Sequence, residues 1–304
     1  MLCLLVWTWA IPVFAAEPPI TALTFSPDGQ DVVIGSQAGI TVCEWPSLRK
    51  VKQLPSDQAG IHAVAFAPGG KRLAVAGGVP SEQGTVEIYS WPELDLEMTL
   101  RGHDDTIQTI EWRDDEVFVT GSLDHEIAIW SLLESKPLRR LAGHSKGVTT
   151  VEFLADGKQL LSGSIDQNVR LWDVESGQLL RTLNNHTRPI HASRRRPQRE
   201  GLPMVATASD DRTVRFWQPT IGRMVRFCRL DQIPLALTWL GDGTLLLVAC
   251  SDGAVRCIDP ETAEVKRVIP VLKDWAYVIE VDPSGSGVVV GGREGQLQQL
   301  SLDE

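Results

Sequence analysis

The residues most able to do chemistry form three matched sets of histidine, serine or threonine, aspartate and tryptophan. In each set the hydroxyl residue lies ten positions and the aspartate six positions before the tryptophan, and the histidine stands further upstream. A hydroxyl, an imidazole and a carboxylate could together form a nucleophilic triad for acyl transfer. The sets are His103, Thr120, Asp124 and Trp130; His144, Ser162, Asp166 and Trp172; and His186, Thr207, Asp211 and Trp217.

The threefold repetition favours a structural role over catalysis, because an active site is normally built once. A buried indole N–H needs an acceptor, a hydroxyl can accept and donate, and an imidazole can bridge that hydroxyl to a carboxylate. One series of hydrogen bonds would therefore satisfy all four groups. We predict that the protein is not an enzyme and has no catalytic residues.

The elements that position these sets are repeats of short strands. A residue that ends an apolar strand recurs at gaps of 41, 46, 41, 86 and 42 residues, and a further repeat with Arg195 in this position divides the gap of 86. Alternating apolar residues and Gly/Asp/Pro turns predict four strands in each repeat, and no segment has helical periodicity. The sequence thus predicts an all-β domain over residues 17–304, with seven repeats at about 20–58, 59–102, 103–143, 144–185, 186–231, 232–273 and 274–304.

Three segments superimpose without gaps around the tryptophans: FVTGSLDHEIAIWS, LLSGSIDQNVRLWD and VATASDDRTVRFWQ. Together with the upstream histidines, these segments resemble the WD40 repeat family. With its signal-like N-terminus, the chain resembles an exported, bacterial-type member of that family. The resemblance implies a seven-bladed β-propeller in which the polar sets tie adjoining strands together. It also implies a non-catalytic scaffold that binds other proteins, with the residues after the aspartates as candidate contacts: His125, Gln167 and Arg212.

The other repeats lack the tryptophan. Cys43, Tyr89, Ile258 and Leu300 occupy its position, the matching hydroxyl position is valine in all four, and Asp252 alone keeps the aspartate. Because an apolar side chain needs no hydrogen-bond partner, we expect apolar packing alone to hold these repeats.

Further candidate binding residues lie near the predicted mouth of the central channel. His62 and His191 hold equivalent places early in their first strands, and Trp275 and Tyr277 add aromatic area nearby. Large aromatic rings concentrate binding energy. These residues support an alternative function, a propeller enzyme or small-ligand binder that uses the channel mouth.

A run of arginines stands out in this acidic protein. We expect Arg194, Arg195, Arg196 and Arg199 to lie in the turn between the first two strands of the fifth repeat, on the opposite face. Such a patch could bind an acidic partner, a phosphate group or an anionic surface.

The composition limits the possible partners. The chain has 29 basic and 39 acidic residues, a net charge of −10, which excludes general electrostatic capture of nucleic acid. No paired His/Cys spacing or phosphate-binding loop predicts a metal or a cofactor. No stretch approaches the ~20 apolar residues that a membrane span requires. We expect other proteins as partners, with the ring as a possible monomeric subunit of a complex.

Residues 1–16 are uncharged and end in small residues, which resembles a secretory signal peptide and predicts periplasmic or extracellular export; without cleavage the location would be cytoplasmic. The seventh repeat ends after its third strand, so residues around Thr8 to Val13 are needed if a fourth strand is to complete it. Both predictions cannot hold in full. We prefer cleavage, because the outermost strand packs least against the ring.

Overall fold

The computed structural model describes residues 17–56, 58–197 and 201–302, and within them the chain forms 27 strands and one short 3-10 helix. The strands build seven antiparallel sheets, or blades, in chain order. Blade 1 comprises β1 (Ala22–Phe25), β2 (Asp31–Ser36), β3 (Gly39–Glu44) and β4 (Arg49–Leu54). Blade 2 comprises β5 (Ile61–Phe66), β6 (Arg72–Val79), β7 (Gln83–Ser90) and β8 (Leu96–His103).

The next three blades contain the matched polar sets. Blade 3 comprises β9 (Ile107–Trp112), β10 (Val117–Ser122), β11 (Ile127–Ser131) and β12 (Arg139–Leu141). Blade 4 comprises β13 (Val148–Phe153), β14 (Gln159–Ser164), β15 (Val169–Asp173) and β16 (Leu179–Leu183). Blade 5 comprises β17 (Ile190–Arg195), β18 (Val205–Ser209), β19 (Thr213–Gln218), the 3-10 helix (Pro219–Ile221) and β20 (Arg223–Arg229).

The last two blades complete the circle. Blade 6 comprises β21 (Pro234–Trp239), β22 (Leu246–Cys250), β23 (Ala254–Asp259) and β24 (Glu264–Pro270). Blade 7 comprises β25 (Ala276–Val281), β26 (Val288–Gly292) and β27 (Leu297–Leu300). Each first strand contacts the first strand of the next blade, and β25 contacts β1. The predicted all-β, seven-bladed propeller is confirmed.

The core lies between neighbouring blades rather than at a single centre. Second strands such as β10 and β22 are buried at every residue, because both of their faces are covered by adjacent blades. One apolar cluster joins Ala76 and Ile88 of blade 2 to Trp112 and Phe118 of blade 3. Fully burying a large apolar side chain contributes roughly 1.5–3 kcal/mol, so each seam between blades is itself a hydrophobic core.

The outermost strands carry a second repeated feature that the sequence reasoning missed. In five of the six fourth strands, a lysine or arginine at the same register donates a hydrogen bond to a main-chain carbonyl in or beyond the third strand of the next blade. We call these the clasp residues: Lys52 to Glu93, Arg139 to Ser176, Arg181 to Thr220, Arg226 to Pro260 and Arg267 to Leu302. Blade 2 has Met98 at this register. The clasp residues therefore link blades at the outer wall, where apolar packing is weakest.

The seventh blade has three strands within the part of the chain that the structure describes. Thr8 to Val13, which we considered as its fourth strand, lie outside the described residues. The chain enters the ring through a hydrogen bond from the Ile20 N–H to the Gly292 carbonyl of blade 7.

Candidate functional site

The three polar sets form three separate, equivalent hydrogen-bond networks. In blade 3 the Trp130 indole N–H donates to the Thr120 hydroxyl over 2.8 Å. His103 Nε2 lies 2.8 Å from that hydroxyl, and its Nδ1 lies 2.7 Å from the Asp124 carboxylate. The sets in blades 4 and 5 repeat these contacts with distances of 2.8 to 3.0 Å. One tautomer satisfies every group, with the hydroxyl donating to Nε2 and the Nδ1–H donating to the carboxylate.

Electrostatics keep the networks of blades 4 and 5 in one protonation state. Burial lowers the pKa of His144 and outweighs the opposing effect of Asp166, so the imidazole is neutral at pH 7. Burial alone would raise the pKa of Asp166, but hydrogen bonds from His144 and the Ser145 N–H outweigh it and hold the pKa well below its usual range. A neutral histidine beside an ionised aspartate matches the tautomer above. The networks lie between strands in three different blades and do not surround a common cleft.

The residues that follow the network aspartates project from tight turns on one face of the ring. His125, Gln167 and Arg212 have φ of 77°, 75° and 60°, in the left-handed region. Each donates its N–H to the carbonyl of the serine three residues earlier, over 3.0 to 3.2 Å. His125 and Arg212 are exposed and Gln167 is half-buried. The turn geometry therefore places three different side chains at equivalent positions on this face.

The first strands of blades 2, 3, 4, 5 and 7 each bring one residue to the channel mouth on the same face. In blades 2 to 7 the register of the first and second strands shifts at this residue, and such a bulge re-aims a side chain. A cavity of about 330 Å³ opens there. Its lining residues are Pro19, Thr21, His62, Gln108, Thr149, His191 and Tyr277. The structure thus brings together three of the four mouth residues that the sequence singled out.

Two features give the mouth its chemical character. His191 Nε2 lies 2.6 Å from the Asp210 carboxylate, and burial lowers the pKa of His62. Beside the cavity, the rings of Trp275 and Tyr277 lie 5.9 Å apart, and Trp275 is 36% exposed. The mouth therefore combines a hydrogen-bonding rim with an aromatic pair of which Trp275 is exposed and Tyr277 half-buried.

The prediction of an exposed four-arginine patch is wrong for the arginines that the structure describes. Arg194 and Arg195 belong to β17 rather than to a turn, so they point to different sides of the strand. Arg196 is buried: its Nε donates to the Gly243 carbonyl over 2.8 Å, and its guanidinium lies over the Trp239 ring. Arg199 lies outside the described residues.

Arg194 instead enters the central channel, where it faces a group of glutamates at the same register of other first strands. Its guanidinium lies 3.6 Å from Glu280, and Glu111 and Glu152 are close enough to act on it. Burial raises the pKa of all three glutamates, with repulsion from Glu152 adding to the rise for Glu111. The recurrence of charged residues just before the strand-ending position is the sequence signal that could have revealed this layer.

Two blades without tryptophan contain buried polar groups, so the expectation that packing alone holds them is wrong. In blade 2, the Tyr89 hydroxyl and the Gln58 amide each donate to Glu87 over 3.0 Å. In blade 6, Arg256 donates to both carboxylate oxygens of Asp252 over 2.9 to 3.0 Å. Glu87 and Arg256 were missed because each stands two positions before the tryptophan position, an offset that the tryptophan sets do not use, whereas Asp252 keeps the aspartate offset.

Within the described ranges, no helix has the length and apolar character needed to cross a membrane. In the same residues no group of three or more His, Cys, Asp or Glu side chains is arranged to hold a metal ion.

Comparison with known proteins decides the family. The model described as the IFT122 first beta-propeller matches residues 19–301, nearly the whole chain. The chain belongs to this propeller family. Its seven blades and its WD-type sets agree with that membership, and the fold is a WD40-type propeller.

Matches to individual relatives of this propeller are partial. Nuclear distribution protein nudF 1 of Talaromyces marneffei is 32% identical over 112 residues, 36% of this chain and 23% of the relative. Protein hir1 of Emericella nidulans is 28% identical over 154 residues, 42% of this chain and 15% of the relative. Nuclear distribution protein nudF of Aspergillus flavus is 33% identical over 105 residues, 33% of this chain and 22% of the relative. The chain thus spans less than a quarter of these relatives, which are fungal and give no support to a bacterial-type, exported member.

Proposed function

We propose that this propeller is a non-catalytic scaffold that binds other proteins through the face that carries the channel mouth. The observation that supports this most is the convergence on one face of the mouth cavity, the exposed Trp275 with its neighbour Tyr277, and the projecting side chains of His125 and Arg212.

The physical argument rests on how interfaces gain free energy. Aromatic side chains in a central position supply most of the binding energy, and a polar rim supplies orientation. Trp275 offers an aromatic anchor beside a cavity, and the turn residues of blades 3 to 5 offer hydrogen-bonding groups on the same face. The three polar networks keep the underlying strands fixed, so a partner would meet a preformed surface.

The test compares two deletions of exposed apolar side chains. Immobilised wild-type protein, Trp275→Ala and Leu96→Ala are exposed to native extract, and retained proteins are quantified by mass spectrometry. Leu96 is also exposed but lies on the outer strand β8, so it controls for loss of a large apolar side chain. A partner confirmed with purified components should lose at least about tenfold in affinity with Trp275→Ala, as expected for a central anchor. Equal retention by all three proteins would contradict the proposal.

A second candidate function is small-ligand binding in the mouth cavity, favoured by the His191–Asp210 contact at its edge. A ligand library is screened by thermal shift with wild type and His191→Ala. Ligands that stabilise wild type but not the variant would support this function, and a screen without such ligands would remove it.

We also propose export, which rests on the signal-like residues 1–16. N-terminal sequencing of the mature protein tests it. A mature protein that retains residues 1–16 would contradict the proposal.

A further inference from the structure

Charge is unevenly distributed between the outer wall and the rest of the molecule. The fourth strands β4, β8, β12, β16, β20 and β24 together carry twelve basic and two acidic side chains, a net charge of +10. The whole chain has a net charge of −10, so the remaining residues carry −20. The wall is therefore a basic surface on an acidic protein.

Part of this basic charge is used within the ring. Five side chains are clasp residues, and Arg49, Arg140 and Lys266 form ion pairs with nearby glutamates. The remaining four, Lys50, Arg101, Arg223 and Arg229, are exposed and make no ion pair among the described residues. Two of them, Arg223 and Arg229, lie on β20, which therefore has the most positive charge available for a partner.

The same strand presents an apolar anchor. Phe227 is 49% exposed, and the Arg215 guanidinium lies 5.6 Å above its ring. Phe227 and Arg229 are two residues apart and so project on one face of the strand. A large exposed ring that is fixed by the Arg215 guanidinium is a suitable contact for an apolar side chain of a partner.

The backbone of β20 is also available. It is the terminal strand of the sheet β17-β18-β19-β20, and the outer edge of a terminal strand leaves N–H and C=O groups without strand partners. Basic side chains on such an edge oppose pairing with a second copy of the same edge, because like charges would face each other. A strand with acidic side chains meets no such repulsion.

We propose that the outer edge of β20 binds an extended, acidic segment of a partner protein as a fifth strand of blade 5. Main-chain hydrogen bonds to the strand edge would hold the segment. Arg229 would bind a carboxylate and Phe227 an apolar side chain on one face, and Arg223, which the β-bulge opposite Trp217 places on the other face, would bind a second carboxylate. This surface is separate from the channel mouth, so it is a second binding site beyond the proposed function.

The test uses the full chain and two labelled probes. One is an eight-residue peptide with the repeat Glu-Glu-Val-Val, which as a strand presents both Glu and Val on each face, and the other replaces Glu with Lys. Fluorescence anisotropy should show binding of the acidic peptide only, weakening as salt is raised. Arg223→Glu with Arg229→Glu should reduce affinity by at least about tenfold. The matched control, Lys50→Glu with Arg101→Glu, makes the same charge change on other fourth strands and should alter affinity by less than about twofold.

Hydrogen exchange separates strand addition from general attraction to a basic wall. The acidic peptide should slow exchange of β20 amides and leave β4 amides unchanged. Binding without β20 protection, equal loss of affinity in both double variants, or no binding of the acidic peptide would each overturn the proposal. Trp275→Ala should bind the peptide like wild type, so this result is independent of the test at the channel mouth. Circular dichroism confirms that each variant is folded.

Discussion

Blade 4 and blade 6 have the same backbone plan but solve the problem of buried polar groups differently. Blade 4 places Trp172, Ser162 and His144 in a neutral series of hydrogen bonds that ends on an ionised aspartate. Blade 6 has Ile258 at the tryptophan position and instead buries Arg256 against Asp252 and Asp231. The comparison teaches that the fold requires satisfied polar groups between blades, and that the tryptophan set is one solution among several.

The two solutions should differ in how much stability depends on one atom. The Ser162 hydroxyl has two buried partners, a histidine and an indole. The guanidinium of Arg256 is 4% exposed, but the Asp252 side chain is 32% exposed and water can solvate it. Loss of the Ser162 hydroxyl should therefore lower the free energy of unfolding more than loss of the Arg256 guanidinium.

The largest expected effect comes from Ser162→Ala. It leaves the His144 Nε2 and the Trp172 N–H buried without partners, so the free energy of unfolding should fall by about 3 kcal/mol. Denaturant unfolding measures the change. Adding Trp172→Phe removes the indole N–H that Ser162→Ala leaves without an acceptor. The free energy of unfolding of the double variant should therefore fall by less than the sum of the two single changes. Strict additivity would contradict the network.

A smaller effect is expected from Arg256→Met in blade 6. The methionine fills similar volume, and the carboxylates left behind are partly solvated, so the loss should be about 1–2 kcal/mol. The same unfolding experiment measures it. Asp252→Asn is the companion variant, because it leaves the buried guanidinium with Asp231. A loss larger than that of Ser162→Ala would reverse the ranking of the two blades.

The pH dependence of stability should distinguish the three polar networks from the glutamates that surround Arg194 in the central channel. Asp166 has a lowered pKa, so its contribution is present above about pH 4 and is lost as the pH falls further. Glu111 has a raised pKa, so its contribution has the opposite sign: it is present below about pH 4.5 and is lost as the pH rises through the folded-state pKa. In unfolding curves across pH, Asp166→Asn should reduce the acid-side loss. Glu111→Gln should reduce the loss towards neutral pH, and identical profiles for wild type and Glu111→Gln would contradict the assignment.

The smallest expected effect is at the outer wall. Arg181→Met removes one clasp residue whose partner, the Thr220 carbonyl, remains accessible to water, so stability should fall by less than about 1 kcal/mol. Met98 of blade 2 shows that a blade forms without a clasp at this register. The thermal unfolding midpoint measures the change, and a loss equal to that of Ser162→Ala would show that the clasps are as important as the networks.

The amino-acid sequence by itself determined the number of blades and the membership of the three polar sets. Both are local patterns: the strand-ending residues recur at nearly constant spacing, and Ser or Thr and Asp stand at fixed offsets from Trp because the strands that carry them are adjacent in the chain. Local spacing also indicated the equivalent positions of His62 and His191, which the structure places at one cavity.

Only the tertiary structure decided where the remaining charged residues act. Arg194, Glu111, Glu152 and Glu280 come from four different blades and meet because the ring closes, a distance relation that no short sequence window contains. The same holds for Arg196, which looked exposed in a polar run but is buried against Trp239 and Gly243 of the next blade. The physical reason is that a strand fixes only the direction in which its side chains point, whereas the neighbouring blade decides what they meet.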